Sequence, residues 1–155
     1  MTVSSLPAPT QDLAAAILGV WNLESRNDVD AAGVQRIDPI LGADPLGILC
    51  FSSGHFAAQF MKRDRAAPRE ILRPVQGRNN SSAIDGYDAY FGTYQLNVLA
   101  GTLTIHLQGS ISPSNVGSTF VRDIRVIDSI LVIRLATTAA DGTPVTRRLS
   151  FSRLP

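Results

Sequence analysis

About eight runs of residues with strong strand propensity follow one another in this chain. Val, Ile, Leu, Phe and Thr dominate these runs, as is typical of strands that pack on a pleated surface. The runs cover residues 20–26, 46–51, 56–62, 90–98, 102–111, 118–127, 130–137 and 145–153. Most of the breaks between them are short turn sequences, namely Ser53-Gly54, Ala100-Gly101, Asp128-Ser129 and the segment 141–144. Short breaks of this composition favour tight turns.

Strands joined by tight turns are antiparallel neighbours. In a chain of 155 residues, about eight such strands predict one all-β domain, either an up-and-down barrel or a sandwich. A barrel of this strand number has an interior just wide enough for one small ligand. The sequence therefore directs attention to the inside of the predicted barrel.

Two parts of the chain depart from the strand pattern. Residues 1–9 predict a flexible tail, and an alanine-rich stretch over 11–18 predicts a short helix capped by Thr10. We therefore expect a tail and helix start over 1–15 and a single barrel domain over 16–155. Residues 63–88 form a long connection rich in Pro and Gly, which is typical of a lid or a disordered loop.

The overall charge and the cysteine count exclude several classes of function. The net charge is +1, which gives no case for a nucleic-acid or membrane-surface partner. Cys50 is the single cysteine, so an intrachain disulfide is impossible. No stretch resembles a signal peptide or reaches the ~18 apolar residues of a membrane span. We expect a cytoplasmic, soluble protein that is a monomer or a homodimer.

A series of short motifs occurs in a fixed order along the strands. Gly19-x-Trp21 opens the first strand run, and Arg153 ends the last. The motifs between them are Asp44-Pro45-x-Gly47, Ser53-Gly54, Tyr90-Phe91-Gly92-x-Tyr94, His106, Ser110-x-x-Pro113, Val116-Gly117 and Arg122. Together, over about residues 16–154, they resemble the bacterial and fungal lipocalin-like domain family.

The resemblance implies an antiparallel, lipocalin-like β-barrel of about eight strands with a short N-terminal helix. In such barrels the indole of Gly-x-Trp lies at the closed end, and an arginine from a late strand packs across it, which implies that Arg153 covers Trp21. Two positions depart from the family pattern: Cys50-Phe51, where an aromatic residue is often followed by Thr or Ser, and Phe151, where Trp is common. These departures affect the shape of the pocket rather than the fold.

Alternation along the strands predicts which side chains face the interior. Asp123 and Arg125 share one face of their strand, so Arg122 is predicted to point inward beside Phe120. A buried guanidinium is costly unless it is paired. Arg122 either meets a carboxylate or backbone carbonyls that close one end, or anchors an anionic or carbonyl-bearing ligand. Arg147 shares a face with apolar residues and is a second interior candidate, although a rim residue with its charge in water is the favoured interpretation.

The face formed by Tyr90, Gly92 and Tyr94 is also predicted to point inward, with Gly92 leaving room beside the two phenols.

The sequence leaves the orientation of His106 open. Its own face carries Thr104, and the opposite face carries leucine and isoleucine, so patterning alone places the imidazole in water. The family pattern has a histidine here, and a ligand-binding barrel can have a partly polar interior, so both orientations stay open.

No metal site or cofactor is predicted, because the two histidines have no carboxylate or cysteine at ligand spacing and no glycine-rich phosphate loop is present.

The first hypothesis for the function is a barrel that binds a small hydrophobic or aromatic molecule with a carbonyl or phenol group. The residues predicted to contact this ligand are Tyr90, Phe120, Phe51, Phe60, Trp21, Arg147 and Leu149.

The alternative hypothesis is a cofactor-independent isomerase, cyclase or dehydratase that acts on a polyketide-like metabolite in the same cavity. In that case His106 would move a proton, while Tyr94 and Arg122 would stabilise an enolate. A third hypothesis is a structural or interaction protein whose barrel is filled by its own side chains.

Overall fold

The computed structural model describes residues 12–65 and 84–155. A short helix, α1 (Leu13–Ala16), precedes the strands. The strands are β1 (Gly19–Asp30), β2 (Gln35–Arg36), β3 (Leu46–Ser52), β4 (His55–Met61), β5 (Tyr87–Asn97), β6 (Thr102–Ser110), β7 (Thr119–Ile127), β8 (Ile130–Thr138) and β9 (Pro144–Arg153). A 3-10 helix, Pro113–Asn115, lies between β6 and β7.

The sheet closes on itself because β1 pairs with both β3 and β9. From β3 to β9 each strand pairs with its neighbour in sequence, and the short strand β2 pairs with the far end of β1. The result is a closed antiparallel barrel of eight strands. This confirms the predicted all-β barrel and decides against the sandwich.

The interior is filled by the alternating apolar positions of the strands. In β4, Phe56, Ala58 and Phe60 are buried, while the residues between them are exposed. In β9, Leu149 and Phe151 occupy the same kind of position. Burying apolar side chains stabilises the fold in proportion to the area removed from water, about 25 cal/mol per Å². The core is therefore the lumen of the barrel itself.

Trp21 closes one end of the barrel. Its side chain is 0% exposed, and its indole Nε1 donates a hydrogen bond to the carbonyl of Ile17 at 2.8 Å. The guanidinium carbon of Arg153 lies 4.2 Å from the centre of the indole ring. The same guanidinium donates hydrogen bonds to the carbonyl oxygens of Leu18 and Ala16. The contact between Arg153 and Trp21 that the resemblance implies is thus present.

The opposite end of the barrel, where β1 finishes and β3 begins, is closed by the connection between β2 and β3. Ile40 and Leu41 in this connection are 9% and 1% exposed and belong to the hydrophobic core. The Asp38 side chain accepts a hydrogen bond from the amide of Ile40 at 2.8 Å, and its carbonyl accepts one from Gly42 at 2.8 Å. We call residues 38–41 the plug, because this turn inserts apolar side chains into the mouth of the barrel.

The helix is shorter than the predicted span of 11–18. It begins after Asp12, whose carboxylate accepts a hydrogen bond from the amide of Ala14 at 3.1 Å and so caps the first turn. The predicted tail over 1–9, the predicted cap at Thr10 and most of the predicted lid over 63–88 lie outside the described residues. Across the part of the chain that is described, no helix has the length and apolar character needed to cross a membrane.

Candidate functional site

A small cavity lies in the middle of the barrel. Its volume is about 30 Å³, and apolar side chains from several strands form most of its wall. A water molecule needs roughly 10–15 Å³ of such space, so the cavity has room for about two. The predicted site residues that line it are Phe51, Phe60, Tyr90, Arg122 and Leu149.

Arg122 brings a positive charge to this apolar cavity. Its residue is only 3% exposed, and its guanidinium carbon lies 5.2 Å from the centre of the Phe120 ring. Burial lowers the pKa of Arg122 to about 10, because the charged form loses hydration; Tyr90 opposes this shift and the positive charge of Arg147 adds to it. The inward orientation predicted from alternation in β7 is therefore observed.

Tyr90 and Tyr94 both lie on the inner face of β5, but they occupy different environments. Tyr90 lines the cavity, and its ring centre lies 6.0 Å from that of Phe56 and 6.3 Å from that of Phe60. The Tyr94 hydroxyl donates a hydrogen bond to the carbonyl of Ser52 at 2.9 Å, and its side chain does not line the cavity. Tyr90 is therefore the phenol that faces the candidate site.

The sequence predicts that Gly92 leaves room beside the two phenols, but the structure shows no such space. A Cβ atom at this position would lie 1.9 Å from the carbonyl oxygen of His106. The pairing of β5 with β6 is irregular at this point, between Phe91 and Gly92. The glycine therefore permits close approach of the two strands, and the backbone of β6 fills the space.

His106 lies on the outer face of β6. Its side chain is exposed, and the ring atom Nδ1 is 3.1 Å from the hydroxyl oxygen of Thr119. Leu103, Ile105 and Leu107 occupy the buried face of the same strand. The structure thus agrees with the polar patterning, and it does not bring His106 together with Tyr94 and Arg122.

Arg147 is fully inside the barrel and is not a rim residue with its charge in water. Its residue is 2% exposed, and its guanidinium donates two hydrogen bonds to the carboxylate of Asp28, at 2.7 and 2.8 Å. A carboxylate in this position stabilises the buried charge of the guanidinium. This corrects the favoured interpretation of Arg147.

A second ion pair lies beside the first. Arg26 donates a hydrogen bond to the Asp38 carboxylate at 3.1 Å, and the same carboxylate is 4.0 Å from the Arg147 guanidinium. Burial lowers the pKa of Arg26 and so does the neighbouring charge of Arg147, whereas Asp38 and Asp28 oppose the shift. For Asp38, burial acts to raise the pKa, but Arg26, the Ile40 amide and Arg147 outweigh it and lower the pKa. We call these four residues, Arg26, Asp28, Asp38 and Arg147, the mouth cluster.

Strict alternation in β1 would place Arg26 and Asp28 outside, because Trp21 and Leu23 point inward. The pairing of β1 with β9 shifts between Leu23 and Ser25, so one extra residue is inserted. Such a bulge moves the residues after it to the opposite face. The bulge therefore brings Arg26 and Asp28 into the barrel opposite Arg147, and alternation alone misses both.

The remaining predicted ligand contacts lie away from the cavity. Trp21 belongs to the closed end, Arg147 to the mouth cluster, and Phe120 is half-buried beside Arg122. Sequence reasoning also missed Asp88, which is buried on the inner face of β5. The structure thus groups the predicted residues into a closed end, a central cavity and a charged mouth.

The fold and the central cavity agree with a comparison against known families. A sequence model described as a lipocalin-like domain matches residues 18–151, which is most of the chain. The chain belongs to the lipocalin-like domain family. A search of curated proteins found no match. A lipocalin-like barrel supports ligand binding in general, and the central cavity is the part of this barrel where a ligand would meet both apolar walls and polar groups.

Proposed function

We propose that this lipocalin-like barrel binds a small apolar or aromatic molecule that carries a carbonyl or phenol oxygen. The observation that supports this proposal is the presence of Arg122 and Tyr90 in the wall of one apolar cavity. A guanidinium and a phenol both donate hydrogen bonds to oxygen. Such bonds are stronger in a water-poor interior than in water.

The size of the cavity sets a condition on binding. Apolar cavities that hold a ligand as small as benzene have a volume of about 150 Å³, and this cavity has about 30 Å³. A ligand of the proposed class must therefore displace side chains that now fill the barrel. We expect binding to be accompanied by movement of part of the core or of one closed end.

The alternative, a cofactor-independent isomerase or cyclase, requires an acid–base group beside Arg122. For this alternative the sequence indicates His106 as the base, and His106 lies on the outer face of β6, away from the cavity. Ligand binding is therefore the function that we propose.

The experiment uses 2-naphthol and naphthalene as matched probes, measured by isothermal titration calorimetry. We expect 2-naphthol to bind the wild-type protein, and Arg122→Met to weaken its binding about tenfold, the effect of losing one hydrogen bond to a charged group. Naphthalene binding should change little. Arg125→Met is the control, because Arg125 is on the same strand and exposed. Equal binding of 2-naphthol to all three proteins, or no binding to any, would contradict the proposal.

A further inference from the structure

The plug has the chemistry of an apolar carboxylic acid. Its carboxylate, from Asp38, faces a pair of arginines. Its two aliphatic side chains, from Ile40 and Leu41, pack in the core. It lies in the connection between β2 and β3 and takes no part in the strand pairing of the barrel. It can therefore leave the mouth without breaking the hydrogen bonds between barrel strands.

Within the mouth cluster, the plug supplies one of the two carboxylates that face the two arginines. The other carboxylate, Asp28, uses both of its oxygens on Arg147. Among the described residues, Asp38 is the only carboxylate within 4.0 Å of Arg26. Withdrawal of the plug would therefore remove the carboxylate that contacts the buried Arg26, which is costly unless another anion takes its position.

The mouth cluster lies directly above the central cavity. Arg147 and the cavity-lining Leu149 are two residues apart on the inner face of β9, which corresponds to about 7 Å along a strand. Ile40 and Leu41 belong to the same core cluster as Phe60 and Leu149. Removal of the two aliphatic side chains would thus extend the small cavity toward the mouth.

We propose that the plug is an internal substitute for the ligand, and that the ligand is an apolar carboxylic acid. The ligand carboxylate replaces that of Asp38 at Arg26 and Arg147. The apolar body replaces Ile40 and Leu41 and continues into the cavity beside Arg122. This inference rests on the proposed function, and it adds a second polar anchor and a route of entry to it.

In this proposal the affinity for the carboxylic acid depends on how stably the plug occupies the mouth. A ligand that binds only the open form has an apparent affinity reduced by the fraction of open molecules. Asp38→Asn removes the carboxylate that competes for Arg26, so it should both favour opening and leave the arginine available. We therefore expect Asp38→Asn to bind the carboxylate more tightly, by about tenfold.

The test compares decanoate with decanol, which has the same chain and no charge, on the full chain by amide-resolved NMR titration. We expect decanoate to bind more tightly than decanol and to shift the amide signals of Ile40, Leu41 and Gly42. The tenfold gain for Asp38→Asn should be specific to decanoate. Asp44→Asn is the matched control, because Asp44 lies just after the plug and its ion pair with Arg63 is exposed; it should leave both affinities unchanged.

The wild-type titration keeps the proposal falsifiable even if a variant is poorly folded. Equal affinity for decanoate and decanol would overturn it. So would decanoate binding that shifts only outer-face signals, such as those of the exposed Arg134 on β8 and Arg148 on β9. If 2-naphthol binds in the manner dependent on Arg122 and decanoate does not displace the plug, the proposed function stands and this inference fails. If neither probe enters the barrel, both fail.

Discussion

Arg147 and Asp28 are direct cross-strand partners at the seam where the last strand of the barrel meets the first. Their side chains meet inside the barrel in an ion pair with two hydrogen bonds, at 2.7 and 2.8 Å. A shift of one residue in the pairing of β1 and β9 would turn one of these charges outward and leave the other buried alone. The pair therefore favours the observed register of β1 and β9 over a register shifted by one residue.

Removing one member of this pair should be strongly destabilising. We expect Asp28→Ala to lower the free energy of unfolding by about 3–5 kcal/mol, because Arg147 would remain buried without its carboxylate. Urea unfolding followed by circular dichroism measures the change. Asp44→Ala removes an exposed ion pair and should cost about 0–1 kcal/mol. A similar small loss for both variants would contradict the role assigned to the seam pair.

Asp38 should make part of the stability depend on acid pH. Its pKa is lower in the folded protein than its ordinary value of 3.8, since Arg26, the Ile40 amide and Arg147 outweigh the effect of burial. The stability contributed by the ionised carboxylate is therefore fully present above the unfolded pKa and is lost as the pH falls through the lower folded pKa.

Urea unfolding of the wild type and of Asp38→Asn between about pH 7 and pH 2 isolates this effect, because the other carboxylates are common to both proteins. We expect the difference in unfolding free energy to be constant down to about pH 4 and to shrink below it. A difference that grows in acid would show that the folded protein raises the pKa of Asp38.

The sequence predicts those parts of the fold that follow from regular alternation. In β7 the charged pair Asp123 and Arg125 defines the outer face, so the inward position of Arg122 can be deduced without a structure. The contact between Trp21 and Arg153 at the closed end can also be predicted, because Gly19-x-Trp21 and the late arginine are both part of the family pattern.

The mouth cluster could not be predicted, for two physical reasons. A bulge at Glu24 reverses the faces of β1 for the residues after it. Strict alternation therefore predicts that Arg26 and Asp28 face outward, whereas they face the interior. The plug is held by tertiary contacts of a short turn rather than by any periodic pattern, so nothing in the residues around Asp38 indicates that they enter the core. Asp88 was missed because β5 begins at Tyr87, before the apolar run that marks it.

The closed end offers a test of how Arg153 acts. Its guanidinium covers the Trp21 ring at 4.2 Å and also donates hydrogen bonds to two carbonyl groups near α1. A lysine keeps the charge but lacks the planar group that can stack and donate in several directions at once. We expect Arg153→Lys to lower the free energy of unfolding by about 1–2 kcal/mol.

Trp21 is the only tryptophan, so its fluorescence reports on this site directly. In Arg153→Lys we expect the emission to shift to longer wavelength, since water would reach the indole face. Arg125→Lys provides the control, because that exposed residue lies on the outer face of β7. Unchanged emission in Arg153→Lys would mean that the neighbouring strands, and not the guanidinium, exclude water from the indole.

Gly92 should tolerate no side chain. Its backbone lies outside the left-handed region, so an alanine would meet no conformational strain, but its Cβ would lie 1.9 Å from the carbonyl oxygen of His106. The two strands would have to separate to accept it, and we expect Gly92→Ala to cost about 3 kcal/mol.

Gly33→Ala provides the contrast. Gly33 has a φ of 80° and open space around it, so alanine there should cost only about 1–2 kcal/mol of backbone strain. Thermal unfolding of both variants measures the two effects separately. If Gly33→Ala proves the more damaging, the contact between β5 and β6 is looser than the 1.9 Å approach implies.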